Sequence, residues 1–126
     1  MLAKLGTQRL SMPGLLLRIE GLSVLIVAGV LYGYQSYSWL VFALLLLAPD
    51  LAMLGYLLGP TIGSISYNLM HTYALPLSLA LISLLAGAPL GLQLALIWLA
   101  HIGMDRAVGY GLKYPTGFKD THLERV

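Results

Sequence analysis

The sequence predicts an all-α, polytopic membrane protein: an antiparallel bundle of four transmembrane helices with both termini cytoplasmic. Three observations carry this expectation. Of 126 residues, 59% are hydrophobic and only 10% charged, with a mean hydropathy of +0.85, whereas soluble domains carry about 25% charged residues. Four apolar stretches, each near the roughly 20 residues that cross about 30 Å of hydrocarbon, are separated by breaks bearing Gly or Pro. The seven basic residues, Lys4, Arg9, Arg18, Arg106, Lys113, Lys119 and Arg125, all lie in the terminal segments or the helix ends joining them. With four spans the positive-inside rule then puts both termini on the cytoplasmic side of the cell inner membrane. The chain reads as a single transmembrane domain over residues 1–126.

The first span, about residues 15–32, follows Met12-Pro13-Gly14 and carries Arg18 and Glu20 near its start. It reads as a retained helix rather than a signal peptide, because no small-x-small cleavage pattern follows it. The second span, about 39–58, is interrupted by Pro49-Asp50 and closed by Gly59-Pro60. The third, about 62–85, is the longest. The fourth, about 90–111, starts after Gly87-Ala88-Pro89 and ends before Lys113-Tyr114-Pro115. Tyr32, Tyr34, Tyr37 and Trp39 are expected to form an outer aromatic belt, with Tyr114 and Phe118 at the inner interface. Arg18 is expected to snorkel to that interface. The polar tail 113–126 reads as an interfacial segment in which His122 is an ordinary surface residue. Gly29 and Gly33, or Gly55 and Gly59, offer small-residue seams for close helix packing.

A faint internal echo pairs Asp50 and Pro60-Thr61 with Asp105 and Pro115-Thr116, together with Ala52 with Ala107 and Leu57 with Leu112. Duplication of a hairpin would explain it; so would chance in a low-complexity sequence.

Ionisable groups inside a span cost roughly 2.5–3.5 kcal/mol each on insertion scales and are retained where they face a bundle interior or cavity. Glu20, Asp50, Asn68, His71, His101, Asp105 and Arg106 supply at least one polar group to every span. Counted back to the cytoplasmic helix ends at 1.5 Å per residue, Glu20, Asp50, Asn68, His71, His101 and Asp105 fall between about 8 and about 15 Å deep, in one layer. His101 and Asp105, four apart, share one helix face. Asn68 and His71, three apart, share another, within an inward stripe through Ser64, Asn68, His71, Leu75 and Ser78.

Without cysteine, any metal must use nitrogen and oxygen ligands. His71, His101 and the carboxylates of Glu20, Asp50 and Asp105 form a set suited to a divalent zinc, iron or manganese ion. Two imidazoles and one carboxylate would leave an open position, and a remaining carboxylate could serve as general base. Glu20 and Asp50 are therefore candidates for both ligand and catalytic roles, with Asn68 and Arg106 orienting substrate or ligands. A dinuclear carboxylate-bridged site is disfavoured because no Glu-x-x-His pairs are present. The alternatives are a structural network, in which Arg18 and Arg106 neutralise the carboxylates, and a metal-free proton relay. No Walker loop, dinucleotide fingerprint or Gly-x-Ser-x-Gly elbow occurs, which excludes support for a nucleotide cofactor or serine hydrolysis. The partners expected are the lipid bilayer and a lipid-like substrate, with no nucleic acid and with the chain as a monomer or homodimer holding a complete site in each protomer.

Several segments resemble a known family. They are Ala48-Pro49-Asp50-Leu51, Leu54-Gly55-Tyr56, Tyr67-Asn68-Leu69-Met70-His71-Thr72-Tyr73, Ala100-His101-Ile102-Gly103-Met104-Asp105-Arg106, and the run from Gly109 through Pro115-Thr116-Gly117-Phe118 to Leu123. They resemble the bacterial domain-of-unknown-function family numbered 4260, from about Arg18 to the end of the chain. The resemblance implies a small four-helix integral membrane protein and supplies no activity. The Pro-Asp, isolated His and His-x-x-x-Asp pattern is also loosely similar to small membrane-bound metal-dependent hydrolases, without their adjacent His pairs. A membrane glutamate in the first of four helices is similar to the small multidrug resistance family of proton-coupled transporters, which implies a second activity class. The leading expectation is a metal-dependent membrane hydrolase acting on a lipid or amphiphile.

Overall fold

The computed structural model describes residues 11–109; Lys4 and Arg9, the end of the fourth predicted span, the tail with Lys113 to Arg125, Tyr114, Phe118 and His122, and the Pro115 side of the internal echo lie outside the described residues. Every element of the described chain is helical, with no strand. The elements are α1 (Met12–Tyr34), α2 (Trp39–Leu45), a 3-10 segment (Ala48–Leu58), α3 (Pro60–Met70), α4 (Ala74–Ala86) and α5 (Pro89–Val108).

Two of the predicted spans are broken, and proline accounts for both breaks. A proline lacks the N–H that bonds four residues back, so it is tolerated in a first turn and disrupts a helix interior. Pro49 stands in the first turn of the 3-10 segment, after α2 has ended at Leu45. Pro76 stands in the first turn of α4, after α3 has ended at Met70. The eleven-residue 3-10 run is long for that geometry, which rarely exceeds three or four residues. Asp50 and Asp105 therefore sit in unlike local structure, the first in the 3-10 segment and the second in regular helix. The predicted stripe on the third span also ends at the break: Ser64 and His71 are buried, but Leu75 and Ser78 face outward, and Pro76 and Ser83 turn inward instead.

Among the described residues three helical stretches are long and apolar enough to cross a membrane: Met12–Tyr34, Trp39–Leu58 and Pro60–Ala86, the last two running through their breaks. Four had been expected. Helix α5 has the length, at 20 residues, but Gln93, His101, Asp105 and Arg106 dilute its apolar character. It is nonetheless the hub. α5 packs against both α1 and α4, while the 3-10 segment packs against α3. Ala95, Ala100, His101 and Ile102 on α5 are fully buried. The outer faces, by contrast, carry Ile26, Leu44, Leu57, Ile82 and Leu85 more than half exposed. Continuous apolar surface of this kind suits hydrocarbon and not water.

The α1–α5 crossing is made by glycine on both sides. A Cβ at Gly103 would stand 2.6 Å from the Gly21 carbonyl oxygen and 2.7 Å from the Leu25 nitrogen, and one at Gly21 would strike Arg106 Cβ. This is the seam that brings the two backbones together. Gly29 and Gly59, proposed from sequence for that role, have open space beside them; Gly33 approaches only Trp39, while Gly55 packs on Ser66. At the far end of α1, Tyr32 is fully buried instead of lying in an interfacial belt. Its ring packs among Tyr37, Trp39 and Phe42. Its hydroxyl donates to the Ser38 carbonyl and accepts from Gln93 Nε2 at 3.1 Å, which gives the half-buried amide of Gln93 a partner. Tyr34 is 81% exposed, as a belt residue would be.

Candidate metal centre

Four of the candidate residues converge where α5 meets the two broken segments. His101 and Asp105 come from adjacent turns of α5, Asp50 from the first turn of the 3-10 segment and His71 from the residue that caps α3. His71 Nε2 lies 2.9 Å from His101 Nε2, 3.1 Å from Asp50 Oδ1 and 3.3 Å from Asp105 Oδ2. His101 Nε2 lies 3.0 Å from Asp50 Oδ1 and 3.2 Å from Asp105 Oδ2. One potential ligand atom from each residue falls within 4.8 Å of all the others. Both imidazoles are wholly buried and the Asp105 side chain is 9% exposed, but the Asp50 side chain is 34% exposed. One edge of the cluster is therefore open, and Asp50 lines it.

The surroundings fix which ring nitrogens face inward. His71 Nδ1 donates to the Tyr67 carbonyl at 2.8 Å, the i−4 partner in its own helix, and its ring stacks on that of Tyr67 with centroids 3.8 Å apart. His101 Nδ1 is buried without a hydrogen-bond partner. With the His71 proton on Nδ1, where the Tyr67 carbonyl assigns it, and the His101 proton likewise on the nitrogen turned away from the cluster, both Nε2 atoms and both carboxylate oxygens present lone pairs to one point. Each imidazole Nε2 lies 2.9–3.3 Å from the other and from both carboxylate oxygens, and acceptors so close repel one another unless protons or a cation lie between them. Bonds of about 2.0–2.1 Å from a tetrahedral ion give ligand–ligand separations of about 3.3–3.4 Å, and the observed distances lie just inside that. The donor set, two nitrogens and two oxygens with no thiolate, suits zinc, iron or manganese.

Two α5 side chains hold the break that carries His71. In an unbroken helix the Met70 and His71 carbonyls would accept from the residues four ahead. Here Trp98 Nε1 donates to the Met70 carbonyl at 2.6 Å and Arg106 Nη2 donates to the His71 carbonyl at 3.0 Å. Buried carbonyls need such partners, and these two tie the histidine's backbone to the helix that carries the other ligands. Arg106 is 6% exposed, its guanidinium lies 5.5 Å from the centre of the Tyr73 ring, and its Nη1 has no hydrogen-bond partner. Arg106 is thus not poised over the ligand atoms but behind His71.

The remaining candidates stand apart. Glu20 is exposed on α1 and is not one of the converging groups, so the predicted layer of five ionisable ligands contracts to four. Its face is set by the crossing at Gly21, which presents the next residue, and not Glu20, to α5. Asn68 is half-buried on α3, and its backbone carbonyl accepts from the His71 N–H at 3.2 Å. Arg18 lies with its guanidinium against the Gly109 backbone, where α1 begins and α5 ends.

A family profile described as Domain of unknown function (DUF4260) matches residues 14–126. The chain belongs to the DUF4260 family. Its match spans all four converging residues and both helix breaks. No curated protein and no solved structure matches the chain. The DUF4260 assignment carries no activity, and the chemistry has to be read from the cluster itself. Sequence reasoning passed over Trp98 and Tyr67. The signal for Trp98 was its place three residues before His101, on the same α5 face, in a span otherwise free of tryptophan.

Proposed function

We propose that the Asp50, His71, His101 and Asp105 cluster binds one divalent transition metal ion and that this DUF4260 chain is a membrane-embedded, metal-dependent hydrolase acting on a lipid or related amphiphile. The observation that carries the reading is the convergence of four lone-pair atoms from three separate segments in a buried site with one open edge. His71, His101 and Asp105, the buried three, hold the ion. Asp50, the exposed fourth, is displaced toward incoming water or substrate and takes the water's proton as general base. A divalent ion so held supplies Lewis acidity and a water acidic enough to ionise near neutral pH. Arg106 and Trp98 keep His71 in register, and a net count of two carboxylates, one arginine and one divalent ion leaves the centre with a single positive charge, able to attract an anionic or carbonyl oxygen.

The membrane orientation follows from the distribution of basic residues. Both termini are cytoplasmic in this reading, α5 completes the four-helix bundle, and the site lies toward the inner leaflet of the cell inner membrane. All ligands come from one chain, so a monomer is sufficient and a homodimer unnecessary. Reporter fusions after Tyr34 and after Gly87 test the orientation and should read outside; a cytoplasmic signal at either overturns it.

The activity is tested with purified protein in lipid nanodiscs and 4-nitrophenyl octanoate as an amphiphilic ester probe, beside amide and phosphodiester analogues. The expected result is hydrolysis of at least one bond type that is lost on chelation, restored by a single metal, and abolished by Asp50→Asn with the ion retained. Metal-replete protein that hydrolyses none of them would overturn the hydrolase assignment while leaving the metal centre intact.

A further inference from the structure

Beside the cluster lies an apolar cavity of about 180 Å³. Its floor is formed by Pro49 and Ile97, both buried, and its walls by Ala48, Met70, Leu94 and Trp98. The geometry of these residues ties the cavity to the metal centre at three points. Pro49 immediately precedes Asp50, and Met70 immediately precedes His71. Leu94, Ile97 and Trp98 occupy the α5 face that continues, one turn later, to His101 and then Asp105. The only side-chain donor in the wall, the Trp98 indole N–H, is already committed to the Met70 carbonyl. The lining residues thus leave no side-chain donor free for a polar group, whereas the open edge of the cluster, at Asp50, presents a carboxylate. Leu94, in the wall, is 38% exposed, so the cavity opens to the outer surface there.

From this juxtaposition we infer that the cavity is the binding site for a single linear alkyl chain of the substrate, seated with its scissile polar bond at Asp50 and the metal centre. The inference rests on the hydrolase reading above and names its substrate class: a single-chain or chain-end amphiphile. An engineered apolar cavity of about 150 Å³ takes up benzene, so this one holds a segment of about six or seven carbons. A longer chain must pass out of the cavity into the surrounding lipid. The alkyl chain here gains little from leaving water, since lipid is equally apolar. What the cavity supplies is orientation: it fixes the polar bond over the open edge, which is the positioning that hydrolysis needs.

The test uses the full chain in nanodiscs and a methyl decanoate probe carrying a diazirine at its sixth carbon. After irradiation the labelled peptides are mapped by mass spectrometry, and the metal content of the same sample is measured. The expected label is concentrated on Met70, Leu94, Ile97 and Trp98, and Ala48→Trp, which fills the cavity, reduces it to the level of lipid-facing positions such as Leu44 and Leu81 without loss of metal. If Ala48→Trp does not fold, Leu94→Trp fills the same space from α5. Label spread evenly over lipid-facing residues and indifferent to both substitutions overturns the inference, whether or not metal is present. Cavity-selective label on protein that binds no metal would keep the chain site and overturn the metal reading, so the two failures are distinguishable.

Discussion

Helix α5 and the broken middle of the chain each supply two candidate ligands to the same cluster, and they do so in opposite ways. α5 is continuous, is buried along its cluster face, and is locked to α1 by the glycine contact at Gly21 and Gly103. His101 and Asp105 are spaced four apart on it, so their relative position is fixed by helix geometry alone. Asp50 and His71 come from the two points where proline interrupts a span, and their backbone runs through a 3-10 segment and a capping residue. A regular helix holds two ligands cheaply, but it cannot bend two further ligands from neighbouring spans toward one point. The breaks do that, and they need external hydrogen bonds from Trp98 and Arg106 to hold them. The proposed hydrolysis would use this arrangement by moving the exposed residue, Asp50, while the three buried ones stay.

The largest expected effect comes from breaking the rigid side. Gly103→Leu puts a side chain onto the Gly21 carbonyl and the Leu25 backbone, where overpacking costs at least about 1–3 kcal/mol and here has no flexible neighbour to yield. The protein should fail to give a monodisperse peak on size-exclusion chromatography in detergent. Gly29→Leu, with open space beside Gly29, should elute as the parent does. Equal behaviour of the two variants would contradict the crossing.

Next in size is the hold on the broken side. Trp98→Phe and Arg106→Gln each leave a buried carbonyl at the break without its donor, a loss of about 1–3 kcal/mol. Groups that orient metal ligands typically change affinity by about 10–100-fold, and metal competition titrations should show a loss of that order with the fold retained. An unchanged affinity would mean that His71 holds its place without help from α5.

How far the sequence foretold this difference follows the same division. The pairing of His101 with Asp105 was legible because helix periodicity alone decides it, and the meeting of those two with Asp50 and His71 was legible from depth. Pro49 was noted as an interruption and Pro76 was not, yet what each break does depends on tertiary partners that local spacing does not encode. Trp98 is the example: nothing in its neighbourhood in sequence says that its N–H reaches the Met70 carbonyl. Glu20 was misplaced for a related reason. Its depth matches the cluster, but which face of α1 turns inward is set by the contact between Gly21 and Gly103, two residues far apart in the chain.

A smaller effect is expected from acid. Both imidazoles must be neutral to bind an ion, so protons compete with it, and affinity should fall as the pH is lowered. Equilibrium dialysis at about pH 8 and about pH 5 measures this. Asp50→Asn should be the mildest change to binding itself, because Asp50 is the exposed ligand and three buried ligands remain. Its fold should be intact and its metal content at or near that of the parent protein.

The central claim is that four acceptor atoms meet at one point because a metal ion belongs there, and elemental analysis of protein purified without added chelator tests it most directly. The account predicts close to one zinc, iron or manganese ion per chain, retained after dialysis and lost together in His71→Ala and His101→Ala, both of which still elute as folded protein. Folded parent protein with no stoichiometric transition metal, and no uptake on reconstitution with any of the three, would contradict it and leave the cluster as a network held together by protons.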